Sequence, residues 1–207
     1  MFDEMSLKET VLYSCERDEV EGLEDFGCQG KTQFVVNHAT VFMVRGLLTK
    51  WKQAIGYFLS SGPMQSSMLH TLLLQALVKV KETGLNVKVV VADQGSNNRC
   101  VLEGLCGATK DRPFFLHNED KILIMYNPPH LLKNVRINLK KSGFVINEQV
   151  IQWLYIQQFH AIDVKCEIRL APKLTSKRND LSPFAALHVK YATLVLSHTV
   201  ILLQLHR

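Results

Sequence analysis

Residues 87–99, Val-Lys-Val-Val-Val-Ala-Asp-Gln-Gly-Ser-Asn-Asn-Arg, decide the fold of this chain. The first six residues are apolar except for Lys88, and a β-branched run of this kind predicts a strand buried on both faces, as in a parallel or mixed sheet. The polar residues that follow favour a turn and the start of a helix. Asp93 therefore lies at the carboxyl end of a central strand, where open α/β sheets place their ligand chemistry. The residues alone favour helix capping and metal or substrate binding by Asp93 equally.

The segments before this strand predict further strands and one long helix. Residues 2–16 begin extended, and β-forming residues fill 34–48 and 51–59, with Gly46–Lys52 as a hairpin connection. Residues 64–83 carry an apolar stripe with a period of 3.6 residues, which is typical of a helix packed on a core. The first ninety residues therefore predict the order β, β-β, α, β.

After the central strand, the sequence predicts a short helix over Arg99–Leu105 and a hairpin formed by residues 114–116 and 122–126. A further helix is predicted from Asn147 to Tyr155. Ser182-Pro183 begins a final helix that continues to the carboxyl terminus. No internal repeat or low-complexity segment interrupts this α/β pattern.

A second polar segment, Asn127-Pro-Pro-His-Leu-Leu-Lys-Asn-Val-Arg136, follows the last strand of that hairpin. Two prolines end the strand, and the second suits the first turn of a helix. His130, Lys133 and Asn134 then lie within two turns of the helix N-terminus, a position that favours an anion such as phosphate. Local packing of His130 is an equally good interpretation of the same residues.

Composition places few limits on function. The 207 residues are 47% hydrophobic and 21% charged, and their formal net charge is +5, which permits a nucleic-acid partner without requiring one. Five cysteines show no zinc-binding spacing, and the chain opens with no secretory signal, so we expect free thiols and an intracellular protein, nuclear or cytoplasmic. The apolar run Tyr191–Leu205 is shorter than the roughly 20 residues that a membrane span needs, so no membrane partner is expected.

Four individual side chains carry specific expectations. We expect Trp51 and Trp153 to be buried anchors rather than platforms that stack on bases. Asp3 and Glu4 are neighbours on a predicted strand, so their side chains point to opposite faces and only one of them can face a site.

We also expect the amino end of this first strand to be missing and the open reading frame to be incomplete.

Five short motifs, in this order, resemble the P-element family of DNA transposases, which includes vertebrate THAP-domain relatives. The similarity covers nearly the whole chain. The motifs are Asp3-Glu4-Met5-Ser6, Phe42–Gly46 with Trp51-Lys52, Asp93–Asn98, Asn127–Asn134 and Leu170–Thr175.

This resemblance implies an RNase H-like mixed sheet (β-β-β-α-β-α) over residues 1–127, truncated. It also implies the mainly helical, incomplete start of a GTP-binding-type insertion domain over residues 128–207. In such transposases an acid on the first strand and an acid at the end of the fourth hold two Mg²⁺ or Mn²⁺ ions for DNA cleavage and strand transfer. Asp3 and Asp93 match these catalytic and metal-binding positions. The family partners would be DNA at transposon ends and, as a further option, a second copy of the chain.

The departures from the family predict weak or absent catalysis. The helix that carries the family's third acid, a glutamate, would lie beyond residue 207, and nothing within the chain matches it. We therefore expect this transposase-derived domain to be inactive alone. One alternative is a domesticated, non-catalytic DNA- or protein-binding module. Another is a GTP-binding fragment that uses His130 and Lys133, although the chain has no GxxxxGK[ST] phosphate-binding loop.

Overall fold

A computed structural model describes residues 1–172, 174, 175, 189, 192 and 193. The chain forms two compact units, Met1–Tyr126 and Asn127–Arg207. Each unit is described by itself. Among the described residues, none of the helices is both long enough and apolar enough to cross a bilayer.

The first unit contains ten strands, two α-helices and a 3-10 turn over Gly27–Gln29, and a π-helical turn over Cys100–Leu105 directly extends the second α-helix. The elements are β1 (Phe2–Ser6), β2 (Leu12–Ser14), β3 (Glu19–Glu21), β4 (Leu23–Asp25), β5 (Lys31–Val35), β6 (His38–Arg45), β7 (Lys52–Ser60), α1 (Ser66–Glu82), β8 (Val89–Ala92), α2 (Ser96–Arg99), β9 (Phe114–His117) and β10 (Asp120–Tyr126).

Two sheets meet edge to edge in this unit. The larger is antiparallel, in the order β1-β6-β7-β4-β5, and the smaller has the order β8-β10-β9, with β8 parallel to β10 and β9 antiparallel to it. The edge strand β1 contacts the edge strand β8. Three antiparallel strands (β1, β6 and β7), the helix α1 and then β8, which contacts β1, form the RNase H-like α/β arrangement, so the predicted fold class is confirmed.

Helix α1 covers one face of both sheets. Its apolar stripe, which includes Leu69, Leu72 and Leu73, packs in one cluster with Phe2 from β1 and Val90 from β8. Burying one such leucine contributes roughly 2 kcal/mol to the free energy of unfolding. The helix ends where the sequence predicts, because Gly84 has a positive φ of 82° that suits the position after a helix C-cap.

The central strand differs from its prediction in one respect. Val90 and Ala92 are buried against α1, whereas Val89 and Val91 on the opposite face are only half-buried. The prediction of burial on both faces is therefore wrong. A β-branched run is compatible with one or two covered faces, and the packing of the neighbouring elements decides between them.

Strands β2 to β5 were missed by the sequence analysis. Strands β2 and β3 are three residues each and pair only with each other, while β4 and β5 extend the larger sheet beyond β7. Strands this short carry almost no alternation, and acidic residues, which are poor strand formers, fill this part of the chain. Gly22, with φ of 95°, turns the chain between β3 and β4.

The hairpin between β6 and β7 is confirmed, and the N–H of Gly46 donates to the carbonyl of Trp51 to close it (3.1 Å). The two tryptophans differ in exposure. Trp153 is 6% exposed, as expected, but Trp51 is 39% exposed, so the prediction that it is a buried anchor is wrong. It lies at the loop end of a hairpin, where there is too little neighbouring structure to cover it.

The second unit contains a helix, a short hairpin and a helix: α3 (Pro128–Lys141), β11 (Phe144–Ile146), β12 (Gln149–Ile151) and α4 (Trp153–Asp163). The helix predicted from Asn147 is wrong over its first six residues. Asn147 and Glu148 have φ values of 47° and 64°, which form a two-residue turn between strands with β-branched residues. The predicted final helix from Ser182 lies outside the described residues, apart from residues 189, 192 and 193.

Candidate functional site

Asp3 lies in the middle of β1, opposite Val41 of β6. Its neighbours face the other way, because Phe2 is buried in the α1 core and the Glu4 carboxylate accepts a hydrogen bond from the N–H of Met64, just before α1 (3.0 Å). The Asp3 side chain is exposed, and its Oδ1 atom accepts the N–H of Glu4 (3.0 Å). Strand alternation therefore places Asp3 and Glu4 on opposite faces, as predicted, with Asp3 on the face away from α1.

Asp93 follows β8 directly and is half-buried at the turn that leads into α2. Its Oδ1 atom accepts the N–H of Gly95 (2.9 Å) and a short hydrogen bond from the side-chain amide of Asn98. Asn98 is itself 8% exposed, so one end of this pair is fixed in the protein interior. These bonds orient the carboxylate and hold the turn, although the N-cap residue of α2 is Gly95 rather than Asp93.

Asp3 lies on β1 and Asp93 directly follows β8, and these two strands are in contact. Val90 and Ala92 face α1, and Asp93 follows Ala92 in the turn, beyond the last paired residue of β8. Asp93 thus presents a carboxylate at the carboxyl end of β8, and Asp3 presents one on β1, the strand that contacts β8. Within the described residues, no group of three or more His, Cys, Asp or Glu side chains is arranged to hold a metal ion.

A third carboxylate near this edge, Glu103, was not singled out from the sequence. It accepts a hydrogen bond from the Tyr126 hydroxyl (2.6 Å) and pairs with Arg99 (3.2 Å). Both bonds lower the pKa of Glu103, while burial and the bond to Glu103 raise the pKa of Tyr126 to about 12. Tyr126 is paired with Ala92 in the sheet and packs on the α1 core, so Glu103 is held on the face away from Asp3.

His130 and Lys133 lie on α3 in the second unit, one helical turn apart and both half-buried. The N–H of His130 donates to the carbonyl of Asn127 (3.0 Å), which begins the helix. Further along α3, the buried Arg136 and the exposed Lys140 lie over the Trp153 ring, 5.3 and 5.9 Å from its centre. Burial lowers the pKa of Arg136. The phosphate site at this helix stays a prediction.

The Leu170–Thr175 motif is organised by an ion pair that the sequence analysis did not identify. Asp163 is 2% exposed and accepts the Arg169 Nε–H (3.1 Å) and the N–H groups of Leu170 (2.7 Å) and Ala171 (3.3 Å). Burial raises the pKa of Asp163, but these hydrogen bonds outweigh it and lower the pKa overall. Every one of these contacts is local, so the ion pair stabilises this motif within the second unit.

Comparisons with known proteins agree on one family. The family described as TNP-like, RNase H N-terminal domain, matches residues 1–106. The chain is 27% identical over 201 residues to the Transposable element P transposase of Drosophila melanogaster, covering 96% of this chain and 24% of that protein. The Drosophila P element transposase strand transfer complex has a similar structure, with a TM-score of 0.79 and 25% identity over 96% of this chain and 42% of that chain. The chain therefore spans about a quarter of its curated relative.

Proposed function

Because this chain belongs to the family of TNP-like RNase H N-terminal domains and is a relative of the P-element transposases, we propose that Asp3 and Asp93 are two carboxylates of a two-metal-ion site for DNA cleavage and strand transfer. The observation that supports the proposal is that Asp3 lies on β1 and Asp93 directly follows β8, two strands that contact each other. Mg²⁺ or Mn²⁺ would be the cofactor, and DNA at transposon ends the substrate.

The donor atoms suit these ions. Both ligands are carboxylates, and a carboxylate oxygen is the hard ligand that Mg²⁺ and Mn²⁺ prefer. The hydrogen bonds from Gly95 and Asn98 hold the Asp93 carboxylate in one orientation before any ion binds. Such fixed supporting contacts are typical of metal ligands. Metal ions held there would activate a water or a DNA 3′-hydroxyl as the nucleophile and stabilise the leaving oxygen of a phosphodiester.

We further propose that the chain alone does not cleave DNA. Two carboxylates bind metal more weakly than three and leave the coordination geometry less defined. Glu103 does not supply the missing ligand, because its oxygens are engaged with Tyr126 and Arg99 on the other face. The chain itself would orient the metal and the DNA, and a further carboxylate would be needed for turnover.

Metal binding can be measured apart from activity by the loss of the free Mn²⁺ signal in electron paramagnetic resonance. We expect Asp3→Asn and Asp93→Asn each to weaken Mn²⁺ binding by at least tenfold, because each substitution removes one anionic ligand. Asp111→Asn, an exposed carboxylate in a loop, is the matched control and should bind as the unaltered chain does. Equal Mn²⁺ binding by all four proteins would refute the proposed site.

Nicking of supercoiled plasmid tests the second part of the proposal. We expect no Mg²⁺- or Mn²⁺-dependent nicking above background. Robust nicking that is lost in Asp93→Asn and kept in Asp111→Asn would show a complete active site and contradict inactivity alone.

We also propose that His130 and Lys133 contribute to binding GTP. This proposal rests on their position in the first two turns of α3, a 14-residue helix whose N-terminus favours an anion. Millimolar GTP should raise the melting temperature of the chain, and Lys133→Ala should reduce that rise. An equal rise with inorganic triphosphate would indicate phosphate binding without recognition of guanine, and no rise would remove GTP from the proposal.

A further inference from the structure

We propose that the loop end of the β6–β7 hairpin, residues Arg45–Lys52, is a contact surface for duplex DNA. We call this segment the basic tip. In this proposal its cations contact phosphates and its exposed apolar side chains contact the groove. The inference rests on the proposed DNA chemistry and adds a place where the duplex is held.

The basic tip is unusually apolar for an exposed loop. Leu48 is 100% exposed and Leu47 is 72% exposed, and Trp51 is 39% exposed. Three cations, Arg45, Lys50 and Lys52, flank them, and no acidic residue occurs in the segment. Cations that neutralise phosphates, next to leucine and aromatic side chains that can enter a groove or lie on bases, are a combination found in DNA-binding surfaces.

The tip is also held in a defined shape. It continues the β6–β7 ladder, which pairs Arg45 with Lys52 at its end. The Trp51 indole lies against the backbone of Gly46, since a Cβ atom added to Gly46 would lie 2.6 Å from the indole Nε1 atom and 2.6 Å from the Thr49 hydroxyl. A preorganised loop loses less conformational entropy on binding than a flexible loop does.

Charge favours DNA over other partners. Residues 9–25, which we call the acidic arm, contain seven acidic residues and one basic residue, a net charge of −6. The acidic arm follows the carboxyl end of β1, whereas the basic tip lies beyond the amino end of β1, because β6 runs antiparallel to β1. A polyanion that approaches the Asp3 face is therefore attracted at one end of the β1–β6 pair and repelled at the other.

The spacing suits a duplex that also reaches the proposed metal site. Asp3 is paired with Val41, and Leu48 lies seven residues further along the hairpin. At about 3.3 Å per strand residue, the tip lies on the order of 20 Å from Asp3. That length corresponds to about six base pairs of B-DNA at 3.4 Å each. A single duplex that lies along β6 could contact both the basic tip and the proposed metal site at Asp3.

The test measures binding of the full chain to a fluorescein-labelled 30-base-pair duplex by anisotropy, in EDTA, from 50 to 200 mM KCl. EDTA removes any contribution of metal at Asp3 and Asp93. We expect Lys50→Ala/Lys52→Ala to weaken binding about tenfold at 100 mM KCl and to reduce the slope of log K against log [KCl] by about 2, because two phosphate contacts are lost. Lys79→Ala/Lys110→Ala removes two exposed cations elsewhere and is the charge-matched control.

Leu48→Ser tests the apolar part of the surface. It should weaken binding about threefold and leave the salt slope unchanged, because no charge is removed. Leu12→Ser in the acidic arm, where Leu12 is 62% exposed, is the matched control and should bind as the unaltered chain does.

A local spectroscopic signal complements these titrations. In a Trp153→Phe variant, Trp51 is the sole tryptophan. Its emission should be quenched by the unlabelled duplex, and Leu48→Ser should reduce that quenching. An emission that the duplex leaves unchanged at saturating concentration contradicts contact at the tip.

The remaining outcomes distinguish DNA from other partners of the basic tip. Equal losses in the tip variant and its charge-matched control overturn the tip as a DNA contact and leave the proposed metal site standing. Retained DNA binding, with loss of binding to vesicles of 30% phosphatidylserine in phosphatidylcholine, assigns the tip to anionic lipid instead. No duplex binding by the unaltered chain at 50 mM KCl overturns both the tip and the proposed DNA substrate, whereas Mn²⁺ binding can still hold.

Discussion

The acidic arm and the basic tip are two exposed hairpin regions with opposite charges. The acidic arm carries a net charge of −6, and the basic tip carries +3. Both expose large apolar side chains: Leu12 and Tyr13 in the first, Leu47 and Leu48 in the second. Exposed apolar area therefore does not distinguish their partners, and the sign of the surrounding charge does. Of these two regions, only the basic tip has the positive charge that attracts a polyanion.

The two regions are also built in different ways. The basic tip is the end of the ladder between β6 and β7, which has eight paired positions and one register shift between Phe42 and Met43, so the shape of the tip follows from these two strands. The β2–β3 hairpin in the arm pairs only with itself and is attached through its base. There Leu7 N–H donates to the Asn37 carbonyl (2.7 Å), and the Asn37 side chain donates to Glu9 (3.0 Å). Substitutions at the base of the acidic arm and at the base of the basic tip should therefore lower the free energy of unfolding by different amounts.

The largest effect is expected for Gly22→Ala at the base of the acidic arm. Gly22 has φ of 95°, and a Cβ atom there would lie 2.0 Å from the Thr10 carbonyl oxygen, so the backbone must shift. We expect a loss of about 3 kcal/mol in the free energy of unfolding, measured in urea. Gly30→Ala, with φ of 109° and no atom within 4 Å, isolates the conformational strain and should lose only about 1 kcal/mol. Equal losses would show that the contact with Thr10 does not matter.

Gly46→Ala should have a smaller effect, confined to the basic tip. Its φ is not positive, and the added Cβ atom meets the movable Trp51 and Thr49 side chains as well as the Thr49 carbonyl (2.8 Å). We expect a loss of about 1–2 kcal/mol and a red-shifted Trp51 emission as the indole moves into water. Gly56→Ala in β7, whose nearest atom is 4.0 Å away, should change neither quantity. An unchanged Trp51 spectrum in Gly46→Ala would contradict the packing of the indole on Gly46.

Lowering the pH should destabilise the acidic arm and leave the stability of the basic tip unchanged. Burial raises the pKa of Asp25, but the hydrogen bond from Gly27 (2.8 Å) and the pairing with Lys31 (3.1 Å) outweigh it, so the pKa lies below its usual 3.8. The stability that this carboxylate contributes is present above the pKa of the unfolded chain and is lost as pH falls through the lowered pKa. Because the pair is largely exposed, we expect less than about 1 kcal/mol.

Urea titrations at pH 6 and pH 3 measure the stability that Asp25 contributes, as the difference in free energy of unfolding between the unaltered chain and Asp25→Asn. That difference should be larger at pH 6. A difference that grows as pH falls would mean that Asp25 is held protonated in the folded chain.

The smallest expected effect is electrostatic and depends on salt. In Glu19→Gln/Glu21→Gln the acidic arm loses two charges, which should tighten binding to duplex DNA by two- to threefold at 10 mM salt. There the screening length is about 30 Å, so the arm acts on DNA held at the tip. At 150 mM salt the length is about 8 Å and the effect should vanish. An effect that persists at 150 mM would place DNA in direct contact with the arm.

The sequence by itself determined the elements whose local signals are strong. The β-branched run before Asp93, the apolar stripe of α1 and the hairpin of residues 114–116 and 122–126 were each predicted, and all three are present. It also placed Asp3 and Glu4 on opposite faces, because alternation along a strand is a property of the backbone. The family followed from five motifs in order. None of these inferences requires knowledge of distant contacts.

Only the tertiary structure decided which faces are covered and which side chains meet. The exposure of Trp51, the single buried face of β8 and the separation of Glu103 from Asp3 depend on which segments pack together far along the chain. The strands of the acidic arm were missed for the same reason, since three-residue strands are stabilised by their partners rather than by their own propensity. The opposite charges at the two ends of β1 are visible in the sequence, but their positions relative to Asp3 follow only from the antiparallel pairing of β1 with β6.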